Sequence, residues 1–223
     1  MKRVLLIVEG HTEQQFVKKI LQPFLNAKGL YSVDCFKIKH SRGGLNKYKH
    51  LKTDIMNCIF QTDIVISTLI DFYALPSDFP GYEYAKKAIT NKVDRVTFIE
   101  NSIRDDLENE KRQEFPNFVP YIQLHEFEAL IFSSDVWVSS LFTKEELDVP
   151  KINNIFSAHP NPEDINDSPM TAPSKRLAVH IKGYEKVIDG IMILETIGIE
   201  IIMEKCPRFR GWVNTLITKA NEL

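Results

Sequence analysis

Two short runs of apolar residues, each followed at once by an acid, dominate the pattern of the chain. Residues 4–8 read Val-Leu-Leu-Ile-Val and precede Glu9, and residues 63–70 are mostly apolar and β-branched and precede Asp71. An apolar run of this length is typical of a strand buried on both faces of a parallel sheet. Gly10 allows a tight turn after the first run, and Thr12 is expected to cap the helix that follows.

Around these two strands the spacing of apolar residues predicts helices and further strands. Helical spacing covers residues 13–25, where Pro23 predicts a kink or an end near Gln22. Further strands are predicted at 31–39 and 118–124, and further helices at 45–60, 84–91 and 93–109. Pro120 favours an edge position or a strand start. Strands that alternate with helices predict an α/β fold with a mostly parallel central sheet flanked by helices.

The last third of the chain has a different character. Residues 139–176 are rich in proline, asparagine and aspartate, with short helices predicted at 144–148 and 151–156, whereas residues 184–202 are strongly apolar. Pro207 is expected to begin a terminal helix. We therefore expect an α/β core at residues 1–135 and a loop-rich, helical C-terminal elaboration at residues 136–223, packed on that core.

Composition narrows the class of protein. The 223 residues are 43% hydrophobic and 26% charged, as in ordinary globular proteins. No apolar run approaches the ~20 residues of a membrane span. We therefore expect no membrane partner. The three cysteines are widely spaced, which fits a reducing cytoplasm. Because the net charge of −2 gives no overall attraction to nucleic acid, a polyanion would need a local basic patch.

Acids follow three of the predicted strands, namely Glu9, Asp71 and the pair Glu126 and Glu128. The carboxyl ends of parallel strands share one edge of the sheet, where open α/β folds bind ligands. Gathered carboxylates repel one another unless a proton or a cation neutralises them, and Mg²⁺ or Mn²⁺ suits oxygen ligands. Since residues two apart on a helix face different ways, only one of the pair is expected at the site, and we favour Glu126. The alternative for Glu9 is a solvated acid that caps the next helix.

Basic residues supply candidates for phosphate or nucleic-acid binding. They are His11, Arg42, Lys47, Lys49, Lys175, Arg176 and Arg208. Residues 37–52 hold six Lys or Arg and no acid, and phosphate is the natural target of such a cluster. Lys175 is the candidate for a catalytic point charge beside a developing oxyanion, and Arg176 for bidentate phosphate binding. The alternative for these groups is a solvated surface position.

Several motifs carry a resemblance to known families. Val8-Glu9-Gly10 with Thr12 and Glu13 resembles the first motif of topoisomerase-primase (Toprim) domains, and residues 69–73 resemble their second motif. Five motifs resemble one bacterial family more closely, the Toprim-like "domain of unknown function 4276". They are Glu9-Gly-His-Thr-Glu13, Asp71-Phe-Tyr-Ala-Leu-Pro76, His125-Glu-Phe-Glu-Ala-Leu130, Ala172-Pro-Ser-Lys-Arg-Leu177, and Cys206-Pro-Arg-Phe-Arg210 with Trp212.

This resemblance implies a site for Mg²⁺ or Mn²⁺ in which Glu9 is a metal ligand or general acid/base and Asp71 is a metal ligand. Glu126 would add a further acid. Toprim enzymes usually carry a second aspartate two residues after the first, and Tyr73 stands at that position, which puts a second metal in doubt. Proteins in a similar setting are partners of ATPases in phage-defence and mobile-element clusters, so the resemblance also implies an AAA- or ABC-type ATPase partner.

The first functional hypothesis is a Mg²⁺-dependent nuclease in a defence module, with Glu9, Asp71, Glu126 and Lys175 as catalytic residues. The second is a non-catalytic regulatory subunit that binds a metal ion or a nucleotide and serves an ATPase. The third is an enzyme that transfers phosphoryl groups on small molecules at the same edge of the sheet. Whether the polymer is DNA or RNA, and whether the protein forms a homodimer, is left open by the sequence.

Overall fold

The central element of the protein is a parallel β-sheet. The computed structural model describes residues 3–39, 44–73, 75–165 and 170–223. The strands of these residues are β1 (Arg3–Val8), β2 (Ser32–Lys37), β3 (Val65–Asp71), β4 (Phe118–Val119) and β5 (Ile122–Gln123). Their order is β2-β1-β3-β4, with β5 continuing beside β3, and each pairing is parallel. The predicted α/β class with a central parallel sheet is confirmed.

Both apolar runs form strands that are buried on their two faces, as predicted. Successive side chains of β1 enter different hydrophobic clusters, with Leu6 and Val8 on one face of the sheet and Ile7 on the other. All three side chains have no exposed surface. A strand with this two-sided burial is mostly apolar, because side chains alternate between the faces. The two buried polar residues of β3, Ser67 and Thr68, donate their hydroxyls to backbone carbonyls.

Helices cover the sheet and form the C-terminal region. They are α1 (His11–Phe16), α2 (Gln22–Ala27), α3 (Tyr48–Met56), α4 (Tyr82–Ala88), α5 (Lys92–Lys111), α6 (Val136–Ser140), α7 (Val149–Ala158), α8 (Pro173–His180), α9 (Ile188–Ile197), α10 (Ile199–Lys205) and α11 (Pro207–Glu222). Short 3-10 helices lie at Phe127–Ser133 and Pro162–Asp164. Pro207 begins α11, as predicted. None of the helices in the described ranges is long and apolar enough to cross a membrane.

The first helical segment differs from the prediction at its start, near Thr12, and near Gln22. Gly10, in extended conformation, precedes the first helical residue, so Thr12 lies inside α1, buried, and is not the cap. The helix also continues beyond Gln22 to Ala27, because a π-helical turn at Val17–Leu21 joins α1 to α2. In this turn the N–H of Gln22 donates to the carbonyl of Val17, five residues back, so the helical hydrogen bonds are shifted just before Pro23.

Three other elements differ from the prediction. The strand predicted at 118–124 is divided at Pro120 into β4 and β5, since proline offers no N–H to the ladder. The helix predicted at 45–60 is shorter and forms α3. Residues 144–148 form turns instead of a helix.

The terminal helix α11 packs directly on the sheet. Trp212 of α11 donates from Nε1 to Ser67 Oγ of β3 at 2.9 Å, and its ring stacks on Tyr121 at 4.4 Å. The ring of Phe209 lies 5.9 Å from that of Phe16 in α1. One hydrophobic cluster therefore includes both the sheet and the C-terminal helical region. The division at residue 135 stays a prediction.

Candidate acidic site at the strand ends

Glu9 and Asp71 lie side by side where β1 and β3 end. The N–H of Glu9 donates to the carbonyl of Leu69 at 3.1 Å, which extends the pairing of the two strands beyond Val8. The carboxylate of Glu9 then accepts the N–H of Asp71 at 3.1 Å, on Oε2, and the N–H of Leu45 at 3.4 Å, on Oε1. Backbone donors from two separate segments thus fix the orientation of Glu9 beside Asp71.

Glu13 joins the two strand-end acids from the first turn of α1. It is 4% exposed, and its Oε2 accepts the N–H of Gly10 at 2.9 Å. A Cβ atom at position 10 would lie 2.9 Å from this same oxygen, so the close approach of Glu13 requires glycine there. The spacing from Glu9 to Glu13 therefore brings a second buried acid to the end of β1.

Glu128 comes to the site through a turn after β5. Backbone pairing between the segments continues past Asp71, because Tyr73 donates its N–H to the carbonyl of His125 at 2.7 Å. His125 has a positive φ of 66°, which is uncommon for a residue other than glycine, and the chain enters the 3-10 helix just after it. Glu128 in that helix is 1% exposed, and its Oε1 lies 2.7 Å from the ammonium of Lys186.

Glu126 does not take the role predicted for it. Its carboxylate accepts the N–H of Ser174 at 2.9 Å and the hydroxyl of Ser174 at 3.0 Å, so it satisfies donors at the N-terminus of α8. The prediction that Glu126 and Glu128 face different ways agrees with the structure. The choice between them was wrong, because the start of α8 takes up the carboxylate of Glu126 and Glu128 points to the other acids.

Burial dominates the electrostatics of this group. It raises the pKa of Glu9, Glu13 and Asp71, and it raises that of Glu128 to about 6 from an ordinary value of 4.5. For Asp71 the charges of Glu13, Glu9 and Glu128 raise the pKa further, whereas Lys186 lowers it. The ammonium of Lys186 contacts Glu128, and its charge lowers the pKa of all four acids. These acids repel one another when they are ionised, so they must either take up protons or bind a further cation.

Three oxygens in this group are buried without a hydrogen bond to the described residues. They are Oδ1 of Asp71 and both carboxylate oxygens of Glu128, of which Oε1 faces the ammonium of Lys186. Buried carboxylate oxygens are normally paired, so these oxygens are able to accept a hydrogen bond or bind a cation. Within the described ranges no group of three or more His, Cys, Asp or Glu side chains is placed so that it could hold a metal ion.

Three of the acids, Glu9, Glu13 and Asp71, line a cleft of about 490 Å³ beside β1 and α1, and Glu128 is not among its lining residues. His11 and Lys37, both exposed, stand on its rim together with Lys186. Lys186 follows α8 in the turn that leads to α9, and its side chain is 45% exposed. The cleft therefore combines an acidic floor with cationic groups at its edge.

The other basic candidates among the described residues do not line this cleft. Arg42 is not among the described residues, and Lys47 and Lys49 are exposed at the start of α3. Lys175 is exposed in the first turn of α8, next to the serine that binds Glu126, and Arg176 donates from Nε to the carbonyl of Thr171 at 2.6 Å. Their binding of phosphate stays a prediction.

Arg208 is a buried side chain with partners inside the fold. Its guanidinium donates to Glu100 and to the carbonyl of Ile122, and it lies 4.7 Å from the ring of Tyr121. The backbone N–H of Arg208 donates to Glu163 at 2.9 Å. This arrangement favours a structural role at the start of α11 over contact with phosphate.

Three residues of the acidic group were missed or set aside by the sequence interpretation. Glu13 belongs to the quoted first motif but received no role, and Glu128 was weighed and rejected. Lys186 carries no sequence signal, because it comes from a connection far along the chain. A search for acids four residues after Glu9, on the first turn of the helix, would have found Glu13.

Comparison with known proteins identifies the family. The family model described as "Domain of unknown function (DUF4276)" matches residues 8–217. Neither a curated protein nor a solved structure matches the chain. The matched residues include β2 to β5, the acidic group and most of the C-terminal helical region.

Proposed function

We propose that this protein, which belongs to the DUF4276 family, is a Toprim-like, Mg²⁺- or Mn²⁺-dependent phosphodiester hydrolase acting on DNA or RNA. One observation carries the proposal: four carboxyl groups converge at the carboxyl edge of a parallel sheet, and Asp71 keeps a buried oxygen without a partner. Open α/β sheets bind their ligands at this edge. Strongly perturbed acids in a cleft are typical of functional sites.

The donor set fits a hard divalent cation. Mg²⁺ is commonly held by one or two carboxylates and keeps several waters, so a dedicated cage of protein ligands is not needed. Asp71 and Glu9 are the residues that would hold the ion, since they adjoin each other at the cleft floor. When bound, the ion would polarise the phosphodiester and lower the pKa of a water molecule.

The chain's own side chains have the remaining tasks. The backbone N–H groups of Asp71 and Leu45 hold the carboxylate of Glu9 in one orientation, which preorganises the site. Lys37 and His11 stand where the phosphates of a polymer would approach the cleft. Lys175, exposed on α8, is retained as a candidate phosphate contact near Glu126.

The experiment is an assay for cleavage of single-stranded DNA, duplex DNA and RNA with Mg²⁺, Mn²⁺ or EDTA. We expect divalent-dependent cleavage that Asp71→Asn and Glu9→Gln abolish. Glu145→Gln, at an exposed glutamate, is the matched control and should cleave like the wild type. Equal cleavage by Asp71→Asn and the wild type would contradict the proposal.

A second candidate is a non-catalytic subunit that binds a metal ion or a nucleotide and regulates an AAA- or ABC-type ATPase. The specific observation in its favour is Tyr73, which stands where Toprim enzymes carry a second aspartate. For either candidate we place the protein in the cytoplasm, in a defence or mobile-element module. Binding of Mn²⁺ without cleavage of any of the three polymers, with or without an ATPase encoded nearby, would favour this second candidate.

A further inference from the structure

We infer that Lys186 fills one of two cation positions in the acidic cleft, so that the cleft takes a single divalent ion, at Glu9 and Asp71. The inference rests on the proposed function, because it concerns the ion that the cleft would bind. It assigns Lys186, which no motif indicated, the part of a built-in counter-ion. It also fixes the number of ions that the cleft can hold.

The first step concerns Glu13, which lines the cleft, and Glu128, which contacts the lysine. The ammonium of Lys186 lies 2.7 Å from Glu128 Oε1, while Glu128 itself is 1% exposed. Burial raises the pKa of both acids, and the charge of Lys186 is the largest influence that lowers it. The lysine therefore compensates part of the charge of these two acids.

The second step concerns the half that contains Glu9 and Asp71. Glu9 accepts hydrogen bonds from the backbone N–H groups of Asp71 and Leu45. These bonds lower its pKa more than the charge of Lys186 does. The ammonium of Lys186 contacts Glu128, and it forms no ion pair with Asp71 or Glu9, all of them described residues. Because Asp71 Oδ1 also lacks a partner among the described residues, this half is the one that remains uncompensated.

The third step is the chemistry of the second position. Two-metal sites hold their ions about 3.5–4 Å apart between shared carboxylates. A lysine ammonium is a compact point charge that can occupy such a position without ordered coordination. Tyr73 adds no carboxylate to hold a second ion, and the side chain of Lys186, 45% exposed, reaches Glu128 from the rim. A neutral residue at position 186 would leave Glu13 and Glu128 open to a second cation.

The test counts bound Mn²⁺ by electron paramagnetic resonance and calorimetry at pH 8, without substrate. The wild type is expected to bind one ion, and Lys186→Met two, the second at least tenfold weaker than the first. Adding Glu128→Gln to Lys186→Met should return the count to one. Lys182→Met, at an exposed lysine in the same connection, is the matched control and should bind one ion.

The outcomes separate this inference from the proposed function. Two ions in the wild type, or one ion with unchanged affinity in Lys186→Met, would overturn the role of Lys186 and leave the metal-dependent proposal standing. No ion in any variant would overturn the proposed function itself. If Lys186→Met does not fold, as judged by circular dichroism, Glu128→Gln alone must still bind one ion, and loss of that ion would refute the assignment to Glu9 and Asp71.

Discussion

Replacing Glu128 by glutamine is expected to make the protein more stable above pH 6 and to change little below pH 4.5. Glu128 is 1% exposed, and burial raises its pKa to about 6. The folded state therefore binds a proton at this carboxyl group more tightly than the unfolded state does. The corresponding stability is fully present below pH 4.5 and is lost as the pH rises through about 6. Glutamine has nearly the same shape as glutamate, but its side chain does not titrate in this range.

The shift sets the size of the effect. Between the ordinary value of 4.5 and about 6, the pKa difference corresponds to about 2 kcal/mol of unfolding free energy. Lys186 loses its partner in the variant, but its side chain is 45% exposed and the ammonium can return to water at small cost. Glu128 also raises the pKa of Glu9 and Asp71, so its removal relieves them in the same direction.

Urea unfolding in EDTA at pH 4, 5, 6, 7 and 8 measures the prediction. The unfolding free energy of Glu128→Gln minus that of the wild type should increase by about 2 kcal/mol across this range, most steeply between pH 4.5 and 6. Glu145→Gln, at an exposed position, should show no such trend. A difference that does not change with pH would refute the argument from burial.

Three further predictions concern the cation, the buried ion pair and the start of α8. Mg²⁺ at a hundred times its dissociation constant should stabilise the wild type by about 2.7 kcal/mol at pH 8, as measured by thermal unfolding. An equal stabilisation of Asp71→Asn would contradict the assignment of the ion to Asp71. Arg208→Met leaves Glu100 buried without its cation and should cost about 3–5 kcal/mol in urea unfolding, part of which Glu100→Gln in the same chain restores. Glu126→Gln weakens the bonds from Ser174 and should lower the local stability of α8 by about 1 kcal/mol; unchanged hydrogen exchange in α8 would refute this.

The parts of the fold that the sequence predicted are those that one physical rule determines. The runs at 4–8 and 63–70 fall on β1 and β3 because burial on two faces favours apolar residues at most positions. Pro23 signalled a change in the helix near Gln22, but it did not indicate that a π-helical turn would precede it. The division of β4 from β5 at Pro120 was signalled by the proline, but its effect on strand length was underestimated.

The candidate site was predictable only where strand ends determine it. Glu9 and Asp71 follow directly from the rule that parallel strands end at one edge. The choice between Glu126 and Glu128 depended on Ser174, which binds Glu126. Tertiary packing brings Ser174 to this place, and the local sequence does not indicate it. Lys186 lies in a connection between helices, and its contact with Glu128 arises only when α8 and α9 pack on the 3-10 helix that carries Glu128.

A comparison among the buried acids distinguishes the cleft from the rest of the interior. Glu100 binds Arg208 and accepts the N–H of Ile122, and Glu163 accepts the N–H groups of Arg208 and Phe209. Each of these carboxylates has donors that stabilise the folded state without further help. Asp71 and Glu128 keep oxygens without donors among the described residues, next to other acids that raise their pKa. Folding alone gains nothing from such a group, so a ligand of positive charge is the physical reason that accounts for it.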